Sequence, residues 1–296
     1  MAGPLIECVP NFSEGRDERT VQAIEQAIRS VAGVMLLRSE MDADHNRSVI
    51  TFAGSLDVVA EAALCGIAAA VARIDLRKHT GVHPRIGAVD VVPFVPLEGA
   101  TLEDCAGIAR RAGQQVWKTL GVPVYFYEAA AASPERVPLE NVRRGGFEHP
   151  ALLPDLGGPT LHPTAGASAI GARKLLVAFN VNLATTDLSI AKAIAHKIRA
   201  SSGGLPFVKA LGVPLSSRNL VQVSMNLTNF EQTSLRDVYD AVAVQASARG
   251  VSIAGTQIVG MIPRRAATGC DFVDSSQILE NALPQNRGRS LNDHAE

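Results

Sequence analysis

Residues 75–96 read D-L-R-K-H-T-G-V-H-P-R-I-G-A-V-D-V-V-P-F-V-P, and the second half of that stretch decides the fold. Residues 89–95 are a near-continuous apolar run of strand length, and they follow an alanine-rich segment, 56–74, that has helical length. Working outward, 5–9 reads as a strand, 18–31 as an amphipathic helix, and 34–37 and 48–53 as strands. The order is β-α-β-β-α-β, extended by a helix over 102–120 and a strand over 122–127.

The first half of the same stretch carries the chemistry. His79 and His83 stand four apart, which on a helix would put both imidazoles on one face in the manner of a zinc pair. Gly81 weakens a helix and Pro84 disfavours helical dihedrals just before it, so the pair is expected on a loop. Third and fourth ligands are also missing nearby, and no metal is expected. What remains is a loop that carries imidazole and guanidinium groups ahead of a rigid strand. Two readings of His83 stand on the residues alone. It can donate to a backbone carbonyl as an ordinary structural histidine, or it can take a proton at neutral pH.

Beyond a Pro/Gly-rich connector over 134–171 the element order recurs: strand 174–183, helix 187–200, strands 207–211 and 220–227, helix 235–249, strand 252–261. The expected fold class is therefore α/β (α+β), with two ferredoxin-like βαββαβ subdomains and a ligand cleft between them. The expected boundaries are 1–170 for the subdomain with the histidine loop, 171–284 for the second subdomain, and 285–296 for a disordered polar tail.

Composition narrows the function classes. The 296 residues are 47% hydrophobic and 19% charged, enough to bury a sizeable core, and a net charge of −1 argues against a generic nucleic-acid or anionic-membrane binder. Cys8, Cys65, Cys105 and Cys270 are scattered without a C-x-x-C pair, which suggests neither a zinc ribbon nor a disulfide framework. No signal-peptide pattern or membrane-length apolar run is visible, and a cytoplasmic location is expected. G-A-S-A-I-G at 166–171 is neither a nucleophile elbow nor a dinucleotide loop, so Ser168 reads as structural. Asp42, Asp44 and His45 read more economically as a turn than as a metal cluster.

Four ordered blocks carry a wider likeness: L-I-E-C-V-P-N-F-S-E-G-R at 5–16, D-H-N-R-S-V-I-T-F-A-G at 44–54, H-T-G-V-H-P-R-I-G-A-V-D-V-V-P-F-V-P at 79–96, and G-A-R-K-L-L-V-A-F-N-V-N-L at 171–183. Together they resemble the glutamate formimidoyltransferase family over roughly residues 5–263. The resemblance implies transfer of a formimidoyl group from N-formimidoyl-L-glutamate to tetrahydrofolate in histidine breakdown, with tetrahydrofolate as co-substrate, and a homodimer. It places the catalytic histidine at His83 and the folate segment at Gly157, Gly158, Pro159, Thr160, Leu161, His162, Pro163, Thr164, Ala165 and Gly166. Two departures stand out: Val82 before the catalytic histidine, where the animal enzyme has Glu, and Ala165 in the folate segment, where it has Trp. Without room for the cyclodeaminase domain of the animal enzyme, the chain is expected to be monofunctional.

The residues of that segment suit a flat polar ligand, since glycines allow close backbone approach and Thr160, His162 and Thr164 add hydrogen-bonding groups, although an ordinary linker would also be Pro/Gly-rich. Arg47, Arg77, Lys78 and Arg85 are candidates for reading substrate carboxylates; each alone reads equally as a surface charge, and Arg85 leads because it shares the loop of His83. The rivals are a transferase that uses N-formylglutamate or N-formimidoylglycine and a non-catalytic folate- or amino-acid-binding protein.

Overall fold

A computed structural model describes residues 3–283, so the tail expected over 285–296 lies outside the described residues. The chain divides into two compact units between Lys174 and Leu175.

In the first unit the strands are β1 (Ile6–Cys8), β2 (Asn11–Phe12), β3 (Met35–Asp42), β4 (Arg47–Gly54), β5 (Val89–Pro96), β6 (Val124–Glu128) and β7 (Ser168–Ala172). β1 and β2 are two pieces of one line. Each pairs antiparallel with both β4 and β5, and Pro10, which has no N–H to give a ladder, separates them. β3 pairs with the far side of β4, while β5, β7 and β6 run parallel to one another.

Three helices, α1 (Glu18–Arg29), α2 (Leu56–Val71) and α3 (Leu102–Leu120), share the main core of this sheet. α1 is opened by Asp17, whose side chain accepts from the Arg19 N–H, and it buries Val21, Ile24 and Ile28 at helical spacing. Close crossing of α1 and α2 requires Gly66, because a Cβ there would lie 2.9 Å from Ile28 Cγ1. α3 begins with a reciprocal Thr101–Asp104 capping box and ends on Gly121 in the left-handed region.

β7 lies at the end of the Pro/Gly-rich connector over 134–171, where composition gives no strand, and it is the strand between β5 and β6. Its S-A-I-G-A sequence gives no alternating pattern because it is buried along its whole length. The same connector holds a short helix, α4 (Leu139–Val142), whose Val142 packs with Tyr125, Tyr127 and Val91 in a second, smaller apolar cluster.

The second unit runs β8 (Val177–Leu183), α5 (Leu188–Ile198), β9 (Val208–Leu215), β10 (Leu220–Leu227), α6 (Leu235–Ser247) and β11 (Ile253–Val259). Its sheet is antiparallel throughout, in the order β11-β8-β10-β9. Val177, Phe179, Val181 and Leu183 alternate into the core that Ile194, Val238 and Val242 complete.

Candidate active site

Residues 79–88 leave the short 3-10 turn Leu76–Lys78 without helical structure, as Gly81 and Pro84 require, and are strapped from below by the chain just before β7. The straps are Leu76 N to Thr164 O at 2.8 Å, Ala88 N to Ala165 O at 2.9 Å and Ala167 N to Ile86 O at 2.9 Å, with an antiparallel bridge between Gly87 and Gly166. A Cβ on Gly87 would stand 1.8 Å from Ala167 O, so only glycine permits this approach. From the other side, Asn46 accepts from Gly15 N at 3.0 Å and donates from Nδ2 to Thr80 O at 3.0 Å. Segments distant in sequence, around residues 15, 46, 80 and 166, thus meet at one loop.

On that loop His83 is half-buried, and its Nδ1 lies 2.8 Å from Pro84 O. A carbonyl only accepts, so Nδ1 carries the proton of the neutral ring and Nε2 is the bare, basic nitrogen. Loss of hydration pushes the His83 pKa well below the usual histidine value, and the positive charges of Arg47 and Arg143 push it further, against the opposing pull of Asp90. The ring is therefore neutral at pH 7. His45 lies beside it, with ring centroids 5.7 Å apart.

Beneath the loop, Asp90 is fully buried and accepts from Ile86 N at 2.9 Å on Oδ1. Its Oδ2 takes Arg47 Nη1 at 2.6 Å and Arg143 Nη2 at 2.5 Å. Burial alone would raise this carboxyl, but Arg143 and Arg47 together hold it at about 2. Burial in turn brings Arg47 down to about 10 despite the Asp90 charge. Asn11 Oδ1 accepts from Arg47 Nε at 3.0 Å.

Arg85, the leading candidate for a substrate carboxylate, already holds one: its Nη2 lies 2.9 Å from Glu148 Oε1 and 3.3 Å from His79 O. Arg77 pairs locally with Asp75. His79 is tied down through Nε2 to Asn46 O at 2.9 Å, and burial lowers its pKa. Asp42, Asp44 and His45 form a turn in which Asp42 Oδ1 accepts from His45 N at 2.8 Å. Among the described residues no group of three His, Cys, Asp or Glu is arranged to hold a metal.

The segment 157–166 has two parts. Thr164, Ala165 and Gly166 are the strap under the histidine loop, and Ala165 is 1% exposed, so the position where the resemblance puts a tryptophan offers no surface for stacking. His162 closes a tight turn, its Nδ1 accepting from Ala165 N at 3.0 Å, which puts the ring proton on Nε2. Gly158, Pro159, Thr160 and Pro163 are exposed, Leu161 is half-buried, and Gly157 packs against the Trp117 ring of α3. No described residue accepts from the backbone N–H groups of Gly157, Gly158, Thr160 or Leu161.

The chain matches the model of the formiminotransferase domain, N-terminal subdomain, over residues 5–173 and that of the formiminotransferase domain over 178–277. It belongs to the formiminotransferase family. A protein of Streptococcus pyogenes named glutamate formimidoyltransferase is 42% identical over 294 residues, covering 94% of this chain and 98% of the relative. One of Thermoplasma acidophilum with the same name is 47% identical over 271 residues, 88% of this chain and 89% of the relative. The formimidoyltransferase-cyclodeaminase of Rattus norvegicus is 39% identical, and the chain spans 51% of its length.

For a formiminotransferase, the sequence reading left two neighbours of His83 unmarked. Asp90 has a signal in hindsight, being the one charge in the buried run V-D-V-V-P-F-V, where an ionised carboxylate demands partners. Arg143 has none, since it lies 53 residues from Asp90 within a polar, glycine-rich stretch.

Proposed function

We propose that the chain transfers the formimidoyl group of N-formimidoyl-L-glutamate to N5 of tetrahydrofolate, releasing L-glutamate and 5-formimidoyltetrahydrofolate, as a step of histidine breakdown. The chief support is that relatives 42% and 47% identical over most of their length are named glutamate formimidoyltransferase. Tetrahydrofolate is the co-substrate, and the 157–166 segment suits it chemically: four peptide N–H groups without a described acceptor and the His162 Nε2–H are donors that a flat ring with acceptor atoms could use. Each unit carries a β-α-β-β-α-β core with its first and third strands central, and we take these as two ferredoxin-like subdomains.

His83 is the proton carrier. Its bare Nε2 takes the proton that N5 gives up as N5 bonds to the formimidoyl carbon, and the resulting imidazolium returns that proton to the glutamate nitrogen as the carbon–nitrogen bond to glutamate breaks. The ring ends neutral, ready for another cycle. Such acid–base help contributes about 10²–10⁴ in rate, and alignment of the two substrates supplies much of the remainder. No step calls for a metal or a redox group. We further propose a cytoplasmic homodimer, the commonest soluble assembly; light scattering over a dilution series should give twice the 31.2 kDa chain mass.

The test is an absorbance assay of folate products with N-formimidoyl-L-glutamate, N-formyl-L-glutamate and N-formimidoylglycine in parallel. Turnover that favours the first is expected. Preference for either of the others would reassign the donor, and binding without turnover would leave only a binding protein.

A further inference from the structure

The charges around Asp90 do not balance. Two guanidiniums converge on one carboxylate oxygen, their side chains only 10% and 15% exposed for Arg47 and Arg143 and 0% for Asp90. With His83 neutral, the group carries one surplus positive charge. Arg85 and Arg136, about as buried as Arg143, are each paired with a single carboxylate, Glu148 and Asp155. An uncompensated charge held away from water is expensive, so a structural ion pair alone would not call for a second arginine.

Three donors of the two arginines are unused, Arg47 Nη2, Arg143 Nη1 and Arg143 Nε, and the last is enclosed without a partner. Arg47 engages Asn11 through Nε and Asp90 through Nη1, while Arg143 engages Asp90 through Nη2. No described residue accepts from Arg47 Nη2 or Arg143 Nη1, and neither of these atoms is among the enclosed polar atoms that lack a partner. Arg47 Nη2 and Arg143 Nη1 are thus the two donors of the pair that a ligand could reach. Asp90 orients both of them and, through Ile86 N, fixes the loop three residues beyond His83.

We propose that Arg143, with Arg47, forms the subsite for the α-carboxylate of the donor amino acid, and so restricts the enzyme to N-formimidoyl α-amino acids. The assignment rests on His83 serving the reacting nitrogen, as above. In such a donor the carboxyl carbon is two bonds, about 2.5 Å, from the nitrogen that leaves, so a group beside His83 meets the α-carboxylate first. The folate carboxylates lie beyond a benzoyl ring from N5, and the donor's side-chain carboxyl carbon is four bonds from the nitrogen instead of two. A guanidinium fork also suits a carboxylate better than a lone ammonium would.

The test compares N-formimidoyl-L-glutamate with N-formimidoyl-4-aminobutanoate, which keeps the side-chain carboxylate and lacks only the α-carboxylate. Both turnover and calorimetric binding are measured, on wild type, Arg143→Gln and Arg143→Lys. Wild type is expected to lose about 10²-fold in kcat/KM and in affinity on the truncated donor, the scale of a lost charge-assisted hydrogen bond at a buried site. Arg143→Gln should lose about as much on the full donor, no longer discriminate between the two, and keep its KM for tetrahydrofolate. Arg143→Lys, which retains the charge beside Asp90, should lose about tenfold on the full donor and nothing on the truncated one. Equal use of the two donors by wild type, or equal losses on both donors in the variants, would overturn the subsite. The wild-type comparison needs no variant to fold. Binding is read apart from turnover, so discrimination that persists in His83→Ala keeps the subsite even if that variant shows His83 to be dispensable.

Discussion

His83 donates from Nδ1 to the carbonyl oxygen of Pro84, its own neighbour in the chain, at 2.8 Å. The bond that would mark an ordinary structural histidine is the one that frees Nε2 to act as a base. The first reading of this residue is thus seen directly, and the same bond leaves Nε2 available for the second, which a His83→Ala variant tests.

A pH profile follows from the charges around that ring. Burial and the nearby Arg47 and Arg143 lower the His83 pKa well below 6.5, so the basic form persists into mildly acidic solution. The acid limb of kcat/KM should fall clearly below pH 6.5, and Arg143→Gln should move it upward because one opposing charge is gone. An acid limb centred at or above 6.5 in the wild type would contradict the neutral ring.

Asp90 should matter to stability as much as to the site. Its folded pKa of about 2 lies below the ordinary 3.8, so its contribution is fully present above pH 3.8 and is lost as pH falls toward 2. That displacement corresponds to about 2 kcal/mol. Asp90→Asn leaves two guanidiniums without their carboxylate and should cost about 3–5 kcal/mol at pH 7. Chemical denaturation of the two proteins at pH 7 checks this, and equal midpoints would show that the cluster contributes nothing to folding.

Glu7 runs the opposite way. It lies in β1, 2% exposed, and its Oε2 has no partner among the described residues. Burial raises its pKa from 4.5 to about 7, with Arg173 pulling it down only in part. A raised carboxyl stabilises the fold below pH 4.5 and loses that contribution as pH rises through 7. Glu7→Gln should therefore match the wild type at pH 4 and exceed it by on the order of 2–3 kcal/mol at pH 8. A variant less stable than wild type at pH 8 would mean that the ionised form has a partner.

Local punctuation made much of this fold legible. α3 is found at 102–120, as its sequence indicated, because Thr101, Asp104 and Gly121 mark its ends chemically, and β10 matches over 220–227. β7 is invisible to the same reasoning. Gly171 is small because a Cβ there would meet the Tyr127 ring at 2.5 Å, a requirement set by a neighbouring strand and not by any local pattern. The site divides in the same way. The glycines and proline of the histidine loop announce its shape, whereas Arg143 on Asp90 and Glu148 on Arg85 join residues 53 and 63 apart and exist only once the chain has folded.

The most direct test of His83 as proton carrier pairs single-turnover transfer from N-formimidoyl-L-glutamate with equilibrium binding of tetrahydrofolate, in His83→Ala and His79→Ala. His79 is the control, because its Nε2 is committed to Asn46 O. His83→Ala should slow transfer by about 10²–10⁴ with folate affinity nearly unchanged, and His79→Ala should lose less. Near-wild-type transfer in His83→Ala would contradict the account.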